Sequence, residues 1–294
     1  MLGIAAPALA AGSYAGDESA FDVLYSDAEA TIGTDGRELF VGSSGELFAV
    51  RLAFERTGDP RWKELAARIA SALNAELEDY AQGVRLWTIH LYQSVWGPFL
   101  GAGHGFAGIA HALLCARSLA EDALDFDALQ RSLARTIRST AVRANGTANW
   151  PAIYGCESLP GEGGRVTRLQ WCHGAPGIIT SLNTIPLGLD PEFDELLLAA
   201  GEATWQAGPP LGDAGLCHGA AGSGWAFLKL HRRTGDARWL SRARAFAMHA
   251  LKTMEERRAK DGLPWHSLLT GDVGAAVYVA ACLDLDDRFP ALER

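Results

Sequence analysis

The sequence lacks the features that mark membrane-spanning, nucleic-acid-binding and disulfide-stapled proteins. Its 294 residues contain no apolar run near the roughly 18–20 residues that a membrane span requires. The net charge is −9 and no basic stripe is present, which argues against a nucleic-acid partner. The cysteines number five, an odd count, and two of them stand beside histidines. This pattern favours metal or thiol chemistry in a reducing compartment over a disulfide framework, so we expect a cytoplasmic protein.

Strand signals are also scarce, and so are signals for a cleaved leader. Few runs alternate between apolar and polar residues, and none of them flanks an Asn-Gly or Asp-Gly turn. Residues 1–15 (MLGIAAPALAAGSYA) have no basic start and no long apolar run, so we interpret them as the tail of a helix. A composition of 48% hydrophobic and 21% charged residues is enough for a large core.

What the sequence does contain is an internal repeat. Residues 42–62 read GSSGELFAVRLAFERTGDPRW, and residues 219–239 read GAAGSGWAFLKLHRRTGDARW. One offset of 177 residues relates Gly42 to Gly219 and also Thr57 to Thr234. Two separated blocks that share one offset indicate a repeated structural unit.

The shorter element, Gly-x-x-Gly followed by an apolar helical stretch, occurs five times, starting at Gly42, Gly105, Gly174, Gly219 and Gly271. A polar turn and an amphipathic helix follow, most clearly over 62–80 and 239–258. This order predicts an all-α fold of repeated helical hairpins, an α/α toroid with the motif helices inside and the amphipathic helices outside. We expect a single domain over 1–294, with all helix starts at one end and the irregular stretch 145–170 as a loop over a site.

Two Cys-His pairs stand at equivalent positions of the repeat. Cys172 and His173 precede the third motif (WCHGAPG), and Cys217 and His218 precede the fourth (LCHGAAG). Cys172, Cys217 and His218 offer two thiolates and one imidazole, a set that suits Zn²⁺. Three protein ligands leave one coordination position open for water or substrate, as in catalytic sites. His173 is either a catalytic group or a fourth ligand.

Three further residues are candidates for catalysis. His104 precedes the second motif (GAGHGFAG) and is either an acid or base near the metal or a residue that caps a helix. Arg168 lies four residues before Cys172 and either holds an anion or forms a structural ion pair. Glu38 lies four residues before Gly42 and either pairs with a catalytic histidine or lines the ring.

The sequence contains the motifs LGAGHGFAG, WCHGAPG and LCHGAAG, the segment ELFVGSSGELFAVRLAFERTGD and the ending SLLTGDVGAAVYVAACLDLDDRFPALER. From about residue 20 onward, these features resemble the lanthionine synthetase C-like family. The resemblance implies an α/α toroid, usually of seven hairpins, with a central zinc. Family cyclases add a peptide cysteine to dehydroalanine or dehydrobutyrine, and the LanC-like branch is associated with adding glutathione to such residues in proteins.

Carried over by position, the resemblance makes Cys172, Cys217 and His218 the zinc ligands. It makes His104, Arg168 and His173 the acid, base and orienting residues, and Glu38 matches a carboxylate position. The chain departs from the family in two ways. It has five motifs where seven are usual, so we expect it to begin about two hairpins late. The stretch PPLGDAGLCHG lacks the lysine found in members that also eliminate phosphate, which disfavours that activity. The sequence shows no attached dehydratase or kinase region, so we expect any such partner to be a separate protein.

Three functions remain to be weighed. The leading hypothesis is a zinc-dependent enzyme that adds glutathione or a peptide cysteine to a dehydroamino acid in a peptide or protein. The alternative is a zinc-containing protein that binds glutathione or a peptide, or regulates, without turnover. A toroidal carbohydrate enzyme is disfavoured, because such enzymes use paired carboxylates, whereas this chain places Cys and His at its helix starts.

Overall fold

The computed structural model describes residues 18–91, 95–156, 168–290 and 292–293. Two compact units make up the chain. The first comprises Met1–Phe99 and His104–Thr136, and the second comprises Leu100–Gly103 and Ile137–Arg294. The interpretation of residues 1–15 as a helix tail lies outside the described residues. The single domain over 1–294 stays a prediction.

The first unit is built from helices and two small hairpins. Its helices are α1 (Ser19–Ala30), α2 (Ser43–Thr57), α3 (Arg61–Ala75), α4 (Phe106–Cys115) and most of α5 (Phe126–Thr140). Antiparallel strands β1 (Glu78–Ala81) and β2 (Val84–Leu86) pair with each other, as do β3 (Ile89–Leu91) and β4 (Val95–Gly97).

The second unit is also built from helices and a small hairpin. After an antiparallel pair, β5 (Val142–Ala144) and β6 (Thr147–Asn149), come α6 (Ala175–Leu182), α7 (Pro191–Ala207), α8 (Ala220–Thr234), α9 (Ala237–Asp261) and α10 (Asp272–Asp284). Among the described residues, no helix is long and apolar enough to cross a membrane.

The helices fall into two classes, as the sequence predicts. Four of the five motif helices are buried over most of their length: all residues of α6 are buried, and so is α4 up to its last residue, Cys115. The fifth, α10, buries one face and exposes apolar side chains such as Leu283. The helices that follow the motif helices bury one face. In α3 the buried positions recur every three to four residues, from Trp62 through Leu65 and Ile69 to Leu73. Small residues make the motif helices suited to the interior, and a mixed composition keeps the others at the surface.

The second glycine of the motif allows each motif loop to fold back on its own helix. A side chain at Gly45, Gly177, Gly222 or Gly274 would collide with the carbonyl oxygen of the residue six positions earlier. The motif is therefore a packing requirement at the helix start, where only a hydrogen fits between helix and loop.

One expectation from the sequence is wrong. A hairpin does form around an Asn-Gly turn: Asn145 and Gly146 take left-handed φ values of 50° and 75° between β5 and β6. This pair of backbone conformations is typical of the tightest hairpin turns. The flanking strands are only three residues long, too short to show an alternating pattern. Residues 147–149 of the predicted loop 145–170 are thus a strand, and 157–167 lie outside the described residues.

Candidate metal centre

Backbone hydrogen bonds join successive motif loops within the second unit. The amide of Gly103 donates to the carbonyl of Cys172 at 3.3 Å, and the amide of Cys172 donates to the carbonyl of Cys217 at 3.3 Å. The amide of Cys217 donates in turn to the carbonyl of Leu269 at 2.7 Å. Residues far apart in sequence therefore become neighbours because equivalent loops pair along their backbones.

Cys172, Cys217 and His218 form one cluster. Their ligand atoms, two Sγ and one imidazole nitrogen, all lie within 4.8 Å of one another. Both cysteines are buried and His218 is partly exposed, with its Nε2 lying 3.5 Å from Sγ of Cys217. Two soft sulfur donors and one imidazole fit zinc, and the cluster supplies one ligand fewer than a closed tetrahedral site. His173 is not a member of this cluster.

The cluster contains one acidic thiol and one that resists ionisation. Hydrogen bonding from Cys217, helped by His218 and the nearby charge of His173, lowers the pKa of Cys172 to about 4. Hydrogen bonding to Cys172, burial and the charge of Asp213 raise the pKa of Cys217 above its ordinary value. A second thiolate beside the first requires a cation to compensate it, which is what a divalent metal supplies.

Charges around the cluster act on His218. Hydrogen bonding to Cys172 raises the pKa of His218, the carboxylate of Asp213 adds to this, and Arg168 opposes it. Arg168 is thus close enough to act on His218 electrostatically, and its predicted role in holding an anion stays a prediction. Asp213 cannot be found from the sequence, because a single aspartate in the stretch PPLGDAGLCHG carries no signal of its own.

Asn149, at the end of β6, fixes the approach to Cys172. Its Oδ1 accepts from the amide of Ala175, the first residue of α6, at 2.7 Å, and its Nδ2 donates to the carbonyl of Arg168 at 3.2 Å. Between them Gly174 has a φ of 104°, and a side chain there would collide with the Arg168 carbonyl. This role cannot be predicted from local sequence patterns, because the partners lie 19 and 26 residues away from Asn149.

Within the first unit, the buried Glu38 pairs with the partly exposed His104. Oε2 of Glu38 lies 2.8 Å from Nδ1 of His104, and Oε1 accepts from the amide of Val41 at 2.6 Å. Glu38 is 2% exposed, so its carboxylate depends on these donors. The pairing with a histidine, one of the two options for Glu38, is therefore present. The catalytic roles of both residues stay predictions.

The repeated helical hairpins and the Cys-Cys-His cluster define the class: an all-α helical repeat protein with a candidate metal site. The family model described as "Lanthionine synthetase C-like protein" matches residues 2–294, and the chain belongs to this family.

The similar proteins agree with that assignment. The chain is 30% identical to LanC-like protein GCL1 of Arabidopsis thaliana over 69% of its own length and 45% of that protein. It is 28% identical to glutathione S-transferase LANCL1 of Danio rerio over 69% of its length and 48% of that protein. The chain thus spans about half the length of these curated relatives.

A solved structure shows the fold. Nisin cyclase matches with a TM-score of 0.67 and 19% identity, covering 98% of this chain and 80% of that one. The predicted fold class, an all-α toroid of repeated helical hairpins, is confirmed by this likeness.

Proposed function

We propose that this protein binds one zinc ion through Cys172, Cys217 and His218 and adds a thiol to a dehydroamino acid. The thiol is glutathione or a peptide cysteine, and the acceptor is a dehydroalanine or dehydrobutyrine residue in a peptide or protein. The observation that carries the proposal is the three-ligand cluster, whose donor atoms lie within 4.8 Å of one another. The names of nisin cyclase and of the glutathione S-transferase among the relatives support both thiol sources.

The chemistry requires no oxidant and releases no leaving group. Zinc at this cluster would bind the incoming sulfur and lower the pKa of its thiol, so that it is a thiolate at neutral pH. The sulfur forms a bond to the β-carbon of the alkene, and the π electrons move towards the α-carbon and its carbonyl oxygen. A proton then adds to the α-carbon, so that the product is the thiol and the alkene joined as a thioether.

The residues around the cluster have the chemistry for the remaining tasks. Arg168 is a permanent cation near the cluster, suited to stabilising negative charge on the carbonyl oxygen in the transition state. His173 follows Cys172 directly and acts on it electrostatically, and we assign it the delivery of the proton to the α-carbon.

His104 and Glu38 are proposed as a second acid-base pair. The buried carboxylate of Glu38 favours the tautomer of His104 with its proton on Nδ1, and we assign the proton transfer to Nε2. This tautomer is the one that a proton-transferring histidine requires, and it removes the need for the imidazole to reorient between turnovers.

The test is to purify the protein, measure its zinc and supply glutathione with a dehydroalanine peptide. We expect about one zinc per chain and a thioether adduct detected by mass spectrometry. Cys217→Ala should lose both, because it removes one of three ligands. Cys282→Ala, which removes a buried cysteine outside the cluster, should keep both.

The outcomes separate the hypotheses. Zinc without adduct in the folded wild-type protein would favour the binding or regulatory alternative. An adduct that survives unchanged in Cys217→Ala would refute the metal-dependent mechanism. Sugar hydrolysis that persists in that variant would revive the carbohydrate enzyme.

A further inference from the structure

The chain after α10 folds back over the second unit. We call its described residues, 285–290 and 292–293, the C-terminal strap. It begins at Leu285, which has a left-handed φ of 55° and ends α10. Its central side chain, Phe289, is 1% exposed. Among the described residues, its ring contacts the rings of two tryptophans.

Phe289 contacts the two tryptophans that belong to the metal-binding segments. Its ring stacks on Trp171 with a centroid distance of 4.9 Å and an interplanar angle of 9°. It meets Trp225 edge-on at 5.2 Å and 62°. Stacked and edge-to-face arrangements are the geometries that aromatic pairs favour. One ring therefore holds both tryptophans in place.

A buried ion-pair network fastens the strap. Lys229 on α8 is 3% exposed, and its Nζ lies 2.5 Å from Oε2 of Glu293 and 3.4 Å from Oδ2 of Asp287. The indole nitrogen of Trp225 donates to the carbonyl of Asp287 at 2.9 Å. A buried ammonium group is energetically costly without its ionic partners. Detachment of the strap would remove both carboxylates, so Lys229 would have to be exposed to water.

These contacts lead directly to the cluster. Trp171 directly precedes Cys172 in the chain, and the loop that contains both residues is not helical. Trp225 lies on α8, which begins directly after the loop of Cys217 and His218. The hydroxyl of Ser223, also on α8, donates to the carbonyl of Leu169 at 3.2 Å and ties the two segments together. The orientation of Trp171 therefore sets where the backbone of Cys172 runs.

We propose that the C-terminal strap positions the metal-binding cysteines, with Phe289 as its positioning residue. The inference rests on the proposed zinc site. Metal sites tolerate deviations of only about 0.2 Å in ligand distances, and a loop without helical hydrogen bonds keeps such precision only if its side chains are held. Outer groups that orient ligands typically change metal affinity by about 10–100-fold when they are removed.

The experiment compares Phe289→Ala with Phe193→Ala in the full-length chain. Phe193 is also fully buried, but it lies on α7, and its ring contacts Arg233. Zinc affinity is measured by competition with a chromogenic chelator. Alkylation of Cys172 and Cys217 by iodoacetamide is followed by mass spectrometry in the metal-free protein, with the exposed Cys156 as internal reference.

We expect Phe289→Ala to weaken zinc binding about 10–100-fold and to speed alkylation of Cys172 about tenfold relative to Cys156. Phe193→Ala should change neither, although both variants leave a comparable cavity. Phe289→Leu, which keeps most of the apolar volume, should fall between wild type and Phe289→Ala, and it carries the comparison where the alanine variant does not fold.

Two results would overturn the inference. In the first, the folded Phe289 variants have the same alkylation rate of Cys172 and the same zinc affinity as the wild type. The other is an equal change in Phe193→Ala, which would show a general loss of stability. A wild-type protein without zinc would refute the proposed function alone, since the alkylation rates of the metal-free protein still report whether the strap holds Cys172.

Discussion

At the residue scale, Glu46 is a buried acid whose charge the fold does not compensate. It stands at the start of α2, its exposed fraction is 8%, and its Oε2 has no hydrogen-bond partner among the described residues. Burial, with the nearby charge of Asp27, raises the pKa of Glu46 from 4.5 to about 7. The folded state therefore binds this proton more tightly than the unfolded state.

The free energy of unfolding therefore depends on pH through Glu46. The contribution of this carboxyl to stability is fully present below pH 4.5 and is lost as the pH rises through about 7. We expect Glu46→Gln to stabilise the protein by about 2 kcal/mol at pH 8 and to have little effect at pH 4.5, as measured by urea unfolding. The expected stabilisation is smaller than the whole pKa shift would give at about 1.4 kcal/mol per unit, because the carboxyl keeps some contact with solvent.

The exposed Glu64 on α3 provides the control for this prediction. Glu64→Gln should show no such difference between the two pH values. An equal effect of both substitutions would mean that net charge, and not the burial of Glu46, determines the pH dependence.

Single residues also show how far the sequence predicts the site. Cys172, Cys217 and His218 could be found because the repeat puts them at equivalent positions and because thiols beside glycine motifs are rare. Asn149 and Asp213 cannot be found in this way, since a single amide or carboxylate side chain has many uses. Their roles depend on partners that only the folded backbone brings near.

At the scale of elements, each motif helix depends on a glycine that lets its own loop approach. A side chain at Gly222 would collide with the carbonyl oxygen of Leu216, the residue before Cys217. The neighbour is backbone and cannot turn aside. We therefore expect Gly222→Ala to destabilise the protein by about 3 kcal/mol and to disturb the cluster, as measured by unfolding and by zinc content.

Gly235, which ends α8, separates the two effects that a glycine can have. It has a φ of 71° and open space around its Cα, so alanine there meets conformational strain without a collision. Gly235→Ala should cost about 1 kcal/mol and leave zinc content unchanged. Equal costs for both variants would show that the loop before α8 relaxes easily.

The elements differ in how well the sequence predicts them. The surface helices are visible because their apolar periodicity extends over ten or more residues, and the motif helices are visible because each begins at a glycine. The hairpins β1–β2, β3–β4 and β5–β6 are invisible because strands of three or four residues cannot display a period of two. Their positions come from the packing of the loops that contain them.

At the scale of the whole molecule, the cluster draws its ligands from the loops before α6 and α8, both in the second unit. Zinc that binds only the folded state stabilises it by mass action. At a free zinc concentration 1,000 times the Kd this amounts to about 4 kcal/mol. For a chain of this length we expect the thermal midpoint to rise by about 8 °C.

Scanning calorimetry with zinc and with a chelator measures this shift, and the compact units make the test more specific. Where two transitions are resolved, zinc should move the one that belongs to the second unit, because all three ligands lie there. Cys282→Ala should keep the shift and Cys217→Ala should lose it. A full shift in Cys217→Ala would place the stabilising metal elsewhere, and a shift confined to the first unit's transition would contradict the cluster as the binding site.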